Sequence, residues 1–302
     1  MRLSIVATLY GSAPYVAEFC RRAADAARQL TPDYEIVLVN DGSPDSSLAL
    51  ALDARKQDAR IKVIDLARNF GHHKAMMTGL AHARGDLVFL IDSDLEEPPE
   101  LLNAFKAEMG RTRADVVYGV QQRRRGGAFE RATGAMYYSL FNAITSLPVP
   151  RNLLTVRLMT QRYVQSLVAH RERELNIGAL WTFTGFAQVA MPVDKAHKGT
   201  TSYNLRKRIA HLVNSVTSFS SAPLVFVFYL GVSISLFSGI FGSYLIVRRL
   251  FFGVLLEGWP SLIVSVWFLG GLTLLSLGVL GVYLAKVFTE VKQRPYTVIR
   301  EI

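Results

Sequence analysis

The stretch 87–100, LVFLIDSDLEEPPE, joins a short apolar run to two aspartates and a pair of prolines. An apolar run of this length, followed by turn-forming residues, is typical of a strand that is covered on both faces. Pro98 and Pro99 favour the first turn of a helix, where a backbone N–H has no intrahelical partner. The stretch therefore predicts a strand, a polar loop and a helix in direct succession.

The same alternation extends over the first 120 residues. The predicted strands cover 3–8, 35–40, 61–65, 87–92 and 115–119. The predicted helices cover 15–30, 45–58, 72–83 and 98–109. This order indicates an α/β fold with a doubly wound, mostly parallel sheet, in which ligands bind beyond the carboxyl ends of the strands. Helical patterns at 129–145 and 160–171 and a strand at 186–193 extend the predicted domain to 1–200.

Two long uncharged runs follow this domain. Residues 224–247 and 261–285 hold 24 and 25 residues without a charged side chain, and about 20 suffice to cross a bilayer core. We expect transmembrane helices at 223–250 and 261–285, joined by an external loop at 251–260; a buried core helix is the alternative for a single run. Glycines in both runs permit close helix packing, so a homo-oligomer is compatible with the sequence.

Basic residues around the two runs set the predicted orientation. Three lie in 203–222, four lie after 285, and two lie between the runs. The positive-inside rule then places both flanks in the cytoplasm. Segment 201–222 is predicted to be an amphipathic helix at the membrane interface, and 286–302 a cytoplasmic tail. We therefore expect an integral protein of a bacterial-type inner membrane, with domain 1–200 in the cytoplasm.

Composition narrows the class of partner. The net charge is +10, with 12 Lys/Arg against 16 Asp/Glu in residues 1–109 and 22 against 8 in residues 110–302. A basic half that is joined to apolar runs favours an anionic lipid bilayer and phosphate-bearing ligands. We expect no nucleic acid partner, because the basic residues flank the predicted spans. The single Cys20 excludes an internal disulfide and a cysteine-rich zinc site, and the N-terminus lacks the pattern of a cleavable signal peptide.

Three polar loops after predicted strands hold the candidate functional residues. Asp92 and Asp94, one residue apart, can bind one hard cation, Mg²⁺ or Mn²⁺, and leave positions for diphosphate oxygens; an acidic turn before a helix is the alternative. Asp41 can accept a hydrogen bond from the imide N–H of uracil, although its NDGSPD segment also suits a plain turn. The loop RNFGHHK (68–74) opens a helix, which favours phosphate.

Together these segments resemble one enzyme family. The segments VNDGSPDSS (39–47), LARNFGHHKAMMTGLAHARGDLVFLIDSDLEEPPELL (66–102), RLM (157–159) and TTSYNLRKRI (200–209), with the two terminal apolar runs, are similar to the polyprenyl-phosphate glycosyltransferases. These are family-2 enzymes of the GT-A fold that include dolichol-phosphate mannose synthases and bacterial undecaprenyl-phosphate sugar transferases. The resemblance covers nearly the whole chain. It implies inverting transfer of a hexose from a nucleotide sugar, with UDP favoured, to polyprenyl (undecaprenyl) phosphate.

The resemblance and the loop chemistry assign roles to particular residues. The residues expected to bind the donor are Thr8, Leu9, Tyr10, Gly11, Asp41, Asn69, Lys74, Ser93 and Asp94. The expected catalytic residues are Asp92, Asp94 and Arg157, and the two aspartates also hold the metal. The residues expected at the acceptor phosphate are Tyr203, Arg206, Lys207 and Arg124. Binding to anionic headgroups is the alternative for 206–208, and a solvated charge run is the alternative for 123–125.

The sequence also departs from the family pattern. Asn152 and Thr155 stand where many relatives have acidic residues, Gly11 to Ala13 replace an acidic pair, and Gln121 replaces an arginine. We expect altered sugar contacts. Two rival functions stay open: a polysaccharide synthase, which two spans and the lack of a Gln-x-x-Arg-Trp pattern disfavour, and a non-catalytic protein that binds nucleotide sugars. The retained Asp92-x-Asp94 pair favours the enzyme.

Overall fold

The computed structural model describes residues 1–121, 150, 152–172, 177–194, 217, 220–252 and 258–302. The chain divides into two units. The first comprises 1–142, 147–203 and 294–302, and the second comprises 143–146 and 204–293. The C-terminal segment thus belongs to the same unit as the predicted α/β domain, although the sequence analysis treated 286–302 as a separate tail.

One mixed sheet forms the centre of the first unit. Its strands are β1 (Leu3–Leu9), β2 (Tyr34–Asn40), β3 (Ile61–Leu66), β4 (Leu87–Leu90), β5 (Val116–Gln121), β6 (Leu153–Thr160), β7 (Gln188–Val193) and β8 (Ile299–Glu301). They lie in the order β7-β5-β6-β4-β1-β2-β3-β8. The neighbours β4, β1, β2 and β3 are parallel, whereas β6 and β8 run antiparallel to their partners. The four parallel strands therefore end at one edge of the sheet.

Helices cover both faces of this sheet. The helices α1 (Val16–Leu30), α2 (Ser47–Gln57) and α4 (Leu101–Thr112) contribute to one apolar cluster. The helices α3 (His72–His82), α5 (Gln161–Ala169) and α6 (Ile177–Phe183) contribute to the other. At Gly79 of α3 a Cβ would lie 2.6 Å from the Val6 side chain, so the missing side chain lets α3 approach β1 closely. The doubly wound fold that the sequence predicts is confirmed.

The predicted elements mostly agree with the structure to within two residues. The clearest difference is the helix predicted at 98–109, which begins at Leu101. Pro98 and Pro99 precede it, and their carbonyl groups accept hydrogen bonds from the N–H groups of Leu101 and Leu102, both at 3.1 Å. Strands β6 and β8 and helix α6 were not predicted from the sequence, and the helix predicted at 129–145 lies outside the described residues.

Two long apolar helices belong to the second unit, α7 (Ala222–Phe252) and α8 (Trp259–Val291). Their segments Ala222–Leu245 and Leu262–Val291 have mean hydropathies of 2.2 and 2.1, and by length and composition both are able to cross a membrane. Large apolar side chains such as Trp267, 80% exposed, cover their surfaces. Both helices extend beyond the predicted bounds of 223–250 and 261–285. Most of the predicted interfacial helix, 201–222, and half of the loop predicted at 251–260 lie outside the described residues.

Candidate functional site

Hydrogen bonds connect the loops that follow the parallel strands. The N–H of Gly11, after β1, donates to Oγ of Ser43 in the loop after β2, at 3.0 Å. Ser93, after β4, donates from its hydroxyl to the carbonyl oxygen of Thr8 at 2.8 Å. Oγ1 of Thr8 lies 3.0 Å from Nδ1 of His72, the first residue of α3. These contacts bring four loops together at the edge of the sheet where ligand binding is expected.

The loop after β4 presents two carboxylates on either side of a buried serine. Ser93 is 3% exposed, and its hydroxyl also lies 3.0 Å from that of Ser12. Asp92 and Asp94 are both partly exposed. Oδ1 of Asp94 accepts the N–H of Glu96 at 3.0 Å, which fixes the direction of that carboxylate. Ser93 thus anchors the loop with its side chain, and its contact with the donor stays a prediction.

The two aspartates suit a magnesium or manganese ion that is shared with a ligand. Mg²⁺ in proteins is commonly held by one or two carboxylates together with substrate phosphates and water. Asp92 and Asp94 supply that number of carboxylates at an exposed position. Within the part of the chain that the structure describes, there is no cluster of three or more His, Cys, Asp or Glu residues able to hold a metal ion. The donor set therefore fits an ion that also binds a diphosphate.

His72 links the loop after β1 to the candidate metal site. Its Nε2 lies 3.3 Å from Oδ1 of Asp92, while its Nδ1 contacts Thr8. In the neutral tautomer with hydrogen on Nε2, the ring donates toward Asp92 and accepts from Thr8. The sequence predicted no separate role for His72 within the RNFGHHK loop. The position of His72 at the first turn of a helix, after a strand end, was the available signal.

Asp41 holds the loop before α3. Its carboxylate accepts the N–H of Phe70 at 2.7 Å and the N–H of Gly71 at 3.0 Å. Burial raises the pKa of this carboxyl, which is 2% exposed, against the opposing effect of the two N–H groups. Each oxygen keeps a second lone pair. Asp41 therefore orders the loop and is still able to accept a bond from a ligand.

Gly42 brings the loop after β2 against the same segment. Its φ is +62°, and a Cβ at this position would lie 2.5 Å from the backbone N of Asn69 and 2.6 Å from the carbonyl carbon of Arg68. A larger residue would push the two loops apart, because both neighbouring atoms belong to the backbone. The close contact requires glycine for its size and for its backbone conformation.

Residues 4–167 match the profile of Glycosyl transferase family 2, which covers more than half of the chain. The chain belongs to glycosyl transferase family 2. A Mycobacterium tuberculosis protein, provisionally named a glycosyltransferase, is 56% identical over 302 residues, 100% of this chain and 88% of the relative. The SfII prophage-derived bactoprenol glucosyl transferase of Shigella flexneri is 30% identical over 304 residues, 100% of this chain and 98% of the relative.

A solved structure supports the fold. The crystal structure of glucosyl-3-phosphoglycerate synthase from M. tuberculosis has a TM-score of 0.50 and 17% identity, and the match covers 72% of this chain and 78% of that chain. At this identity the likeness concerns the fold alone. It confirms the GT-A-type fold, and family membership confirms that the protein is a glycosyltransferase.

In this glycosyltransferase the residues of the predicted donor segment Thr8–Gly11 differ in their exposure to solvent. Leu9 is 0% exposed, and its carbonyl oxygen accepts the N–H of Asp41 at 3.0 Å, so its side chain is part of the core. Tyr10 is 57% exposed and leaves its ring free to stack on a base. The predicted donor residues Asn69, exposed, and Lys74, half-buried, lie just before and within α3.

Arg157 lies in the interior of the enzyme, on β6. It is 0% exposed, its guanidinium carbon lies 2.9 Å from the centroid of the Trp181 ring, and its Nε donates to the carbonyl oxygen of Thr155 at 3.2 Å. Burial lowers the pKa of Arg157 to about 9, against the opposing charge effects of Tyr163, Tyr118 and Glu97. Arg157 pairs with Leu90, two residues before Asp92, and its guanidinium is buried. Its catalytic role stays a prediction.

The predicted acceptor residues of this family 2 enzyme are Arg124, Tyr203, Arg206 and Lys207, and all four lie outside the described residues. Of the positions that depart from the family pattern, Asn152 has a φ of 58°, a left-handed conformation that asparagine tolerates better than most residues. Gly11 to Ala13 donate all three backbone N–H groups to the side chains of Ser43, Ser47 and Asp45. This loop is therefore held by the loop after β2.

Proposed function

We propose that this glycosyltransferase transfers a sugar from a UDP-linked donor to a polyprenyl phosphate at the cytoplasmic face of a membrane. The observation that carries the proposal is the pair of partly exposed carboxylates, Asp92 and Asp94, at the carboxyl end of β4. The polyprenyl acceptor is supported by relatives named bactoprenol glucosyl transferases, which match 100% of this chain and 98% of their own length. That similarity extends past the family 2 domain and includes both apolar helices.

The proposed donor site uses the loops after β1, β2 and β3. Tyr10 stacks on the uracil ring, Asp41 accepts its imide N–H, and the cationic side chain of Lys74 contacts the diphosphate. Asp92 and Asp94 would hold Mg²⁺ or Mn²⁺. When bound, the ion offsets the negative charge that develops on the leaving diphosphate.

The proposed chemistry needs positioning more than it needs a protein base. An oxygen of the lipid phosphate attacks the anomeric carbon in line, and the bond from that carbon to the donor's β-phosphate oxygen breaks with its electron pair leaving on UDP. A phosphate monoester has a second pKa of about 6, so the nucleophile is largely ionised at neutral pH. The work left to the protein is to hold the two substrates in line and to stabilise the leaving group.

The proposed binding of the lipid acceptor depends on the two apolar helices, α7 and α8. If α7 and α8 span the bilayer, the lipid tail of the acceptor stays in the membrane while its phosphate reaches the donor site. Tyr203, Arg206, Lys207 and Arg124 are the proposed contacts of that phosphate, since an anionic headgroup at the interface needs cations nearby. These contacts stay predictions from the sequence.

A transfer assay on the full chain tests the proposal. The purified protein in nanodiscs receives undecaprenyl phosphate, Mg²⁺ or Mn²⁺, and each of a panel of radiolabelled nucleotide sugars, and the label in extracted lipid is counted. We expect labelling from one UDP-sugar, and a loss of about 100-fold or more in Asp92→Asn and Asp94→Asn, as for other groups that stabilise developing charge. Asp86→Asn is the matched control, because this aspartate precedes β4 at the opposite edge of the sheet and its side chain is 70% exposed.

Three results would contradict parts of the proposal. Full activity in both site variants would refute the metal role of the aspartates. Labelling only from a donor with another nucleotide would refute the uracil assignment. Binding of nucleotide sugar without transfer from any donor would favour a non-catalytic protein.

A further inference from the structure

The C-terminal segment adds a strand to the catalytic sheet. Strand β8 pairs antiparallel with β3, with Asp65 opposite Glu301 and Leu66 opposite Ile299. The N–H of Ala67 donates to the carbonyl oxygen of Val298 at 2.8 Å. The strand β3 leads directly into the 68–71 loop that Asp41 holds. The last residues of the chain therefore lie against the base of a proposed donor loop.

Arg300 connects this strand to the loop after β2 through a chain of side chains. Its Nη1 donates to Oδ2 of Asp65 at 2.9 Å, and its Nη2 donates to the carbonyl oxygen of Ala67 at 2.8 Å. Oδ1 of Asp65 accepts Nδ2 of Asn40 at 2.7 Å, and Oδ1 of Asn40 accepts the N–H of Ser43 at 3.3 Å. Asp65 and Asn40 are 6% and 2% exposed. Arg300 thus acts on both loops that meet at Asp41.

A second contact connects the same segment to α3. The hydroxyl groups of Thr297 and Thr78 lie 2.8 Å apart. Tyr296 and Ile299 pack against the apolar cluster that contains α3. The first residue of α3 is His72, which contacts Thr8 and Asp92. The C-terminal segment therefore touches β3 and α3, the two elements that flank the 68–71 loop, and it reaches the loop after β2 through Asp65 and Asn40.

We propose that residues 296–302 are a positioning element of the donor site, in which Arg300 and Thr297 hold the donor loops in their binding geometry. The inference rests on the proposed function, because the donor role of these loops belongs to it. Protection of the open edge of β3 is the simpler alternative. Backbone pairing alone achieves that protection and does not require the hydrogen bonds that run from the exposed Arg300 through the buried Asp65 and Asn40 to the loop after β2.

The test compares single variants of the full chain in nanodiscs. Arg300→Gln removes the ion pair, and Thr297→Val removes the hydroxyl contact. Arg294→Gln is the matched control, since it removes the same charge from an exposed arginine just before residues 296–302. We expect Arg300→Gln to raise the donor KM about 3- to 10-fold, as befits the loss of a charge-assisted hydrogen bond. The kcat and the acceptor KM should stay within about two-fold. Arg300→Lys, which keeps the charge, should restore part of the donor KM.

Hydrogen–deuterium exchange supplies a readout that does not depend on activity. We expect the amides of Phe70 and Gly71 to exchange faster in Arg300→Gln and Thr297→Val than in the wild type, while the amides of β1 stay protected. A donor KM and exchange rates equal to those of Arg294→Gln would overturn the inference. Faster exchange across the whole sheet, with kcat and both KM values altered together, would also overturn it, because the segment would then be merely structural. A wild type that transfers no sugar would instead refute the proposed function.

Discussion

At Asp41, burial favours the protonated carboxyl group, whereas hydrogen bonding favours the ionised carboxylate. Its carboxylate must be ionised to accept two backbone N–H groups, yet burial raises its pKa above the ordinary value of 3.8. Protonation turns one oxygen into a hydroxyl, which presents a hydrogen to an N–H donor. The carboxylate is ionised above its pKa and protonated below it. A raised pKa means that the folded protein binds this proton more tightly than an exposed aspartate does, so acidification does not by itself open the loop. The ionised carboxylate is the better acceptor for the imide N–H of the proposed donor, so donor binding should weaken as the pH falls toward that raised pKa.

We expect the donor KM of the wild type to increase on acidification, starting at a higher pH than an exposed aspartate would allow. Phosphate groups also titrate near pH 6, so the measurement is the ratio of donor KM in Asp41→Asn to that in the wild type between pH 8 and pH 5. The asparagine variant should bind donor more weakly at pH 8, by about tenfold for the lost charge-assisted bonds, and the ratio should fall toward one at low pH. A constant ratio would show that Asp41 does not titrate in this range.

The residue types at the site could be predicted from the sequence. The directions in which their side chains point could not. The positions of Asp41, Asp92 and Asp94 at strand ends followed from the order of apolar runs. That Ser93 points inward and that Arg157 is buried over Trp181 depends on tertiary contacts between segments far apart in the chain. The role of His72 depends on Thr8 and Asp92 in the same way. No local pattern reports such contacts.

At the scale of elements, substitution of Gly42 tests whether the close contact between the loop after β2 and the loop before α3 is needed for donor binding. Gly42→Ala would place a Cβ 2.5 Å from the backbone N of Asn69, and its φ of +62° adds strain of about 1–2 kcal/mol. We expect the donor KM to increase by at least about tenfold, since the donor loops must separate. Gly185→Ala is the matched control, because Gly185 has a φ of +76° and open space around its Cβ position. The unfolding temperature should fall in both variants, and further in Gly42→Ala because the clash adds to the strain. Equal donor KM values would contradict the proposed role of this contact.

The elements themselves were predictable where the chain is locally regular. Strands β1 and β2 are buried at every position, and most of their residues are apolar. Strand β6 lies antiparallel between β4 and β5, a placement that local sequence does not encode. Strand β8 has only three residues, and two of them are exposed, so neither length nor periodicity marked it. Its pairing with β3 joins residues more than 200 positions apart.

At the scale of the whole molecule, the course of the chain bears on its membrane topology. The chain leaves the first unit before α7 and returns to it after α8, because residues 294–302 belong to the first unit. If both helices span the bilayer, the segments that flank the pair must lie on the same side as the catalytic sheet. The larger number of basic residues in those flanks independently favours the cytoplasm.

Cysteine labelling of intact cells tests this topology. Burial raises the pKa of Cys20 to about 11, so the native thiol carries little reactive thiolate at neutral pH and the wild type should stay unlabelled. We expect a membrane-impermeant maleimide to label Glu257→Cys, in the predicted external loop, and to label Gln293→Cys only after the cells are permeabilised. The opposite pattern would place the catalytic sheet outside the cell, away from nucleotide sugars, and would refute transfer at the cytoplasmic face. Labelling of both variants in intact cells would show that α7 and α8 do not form a spanning pair.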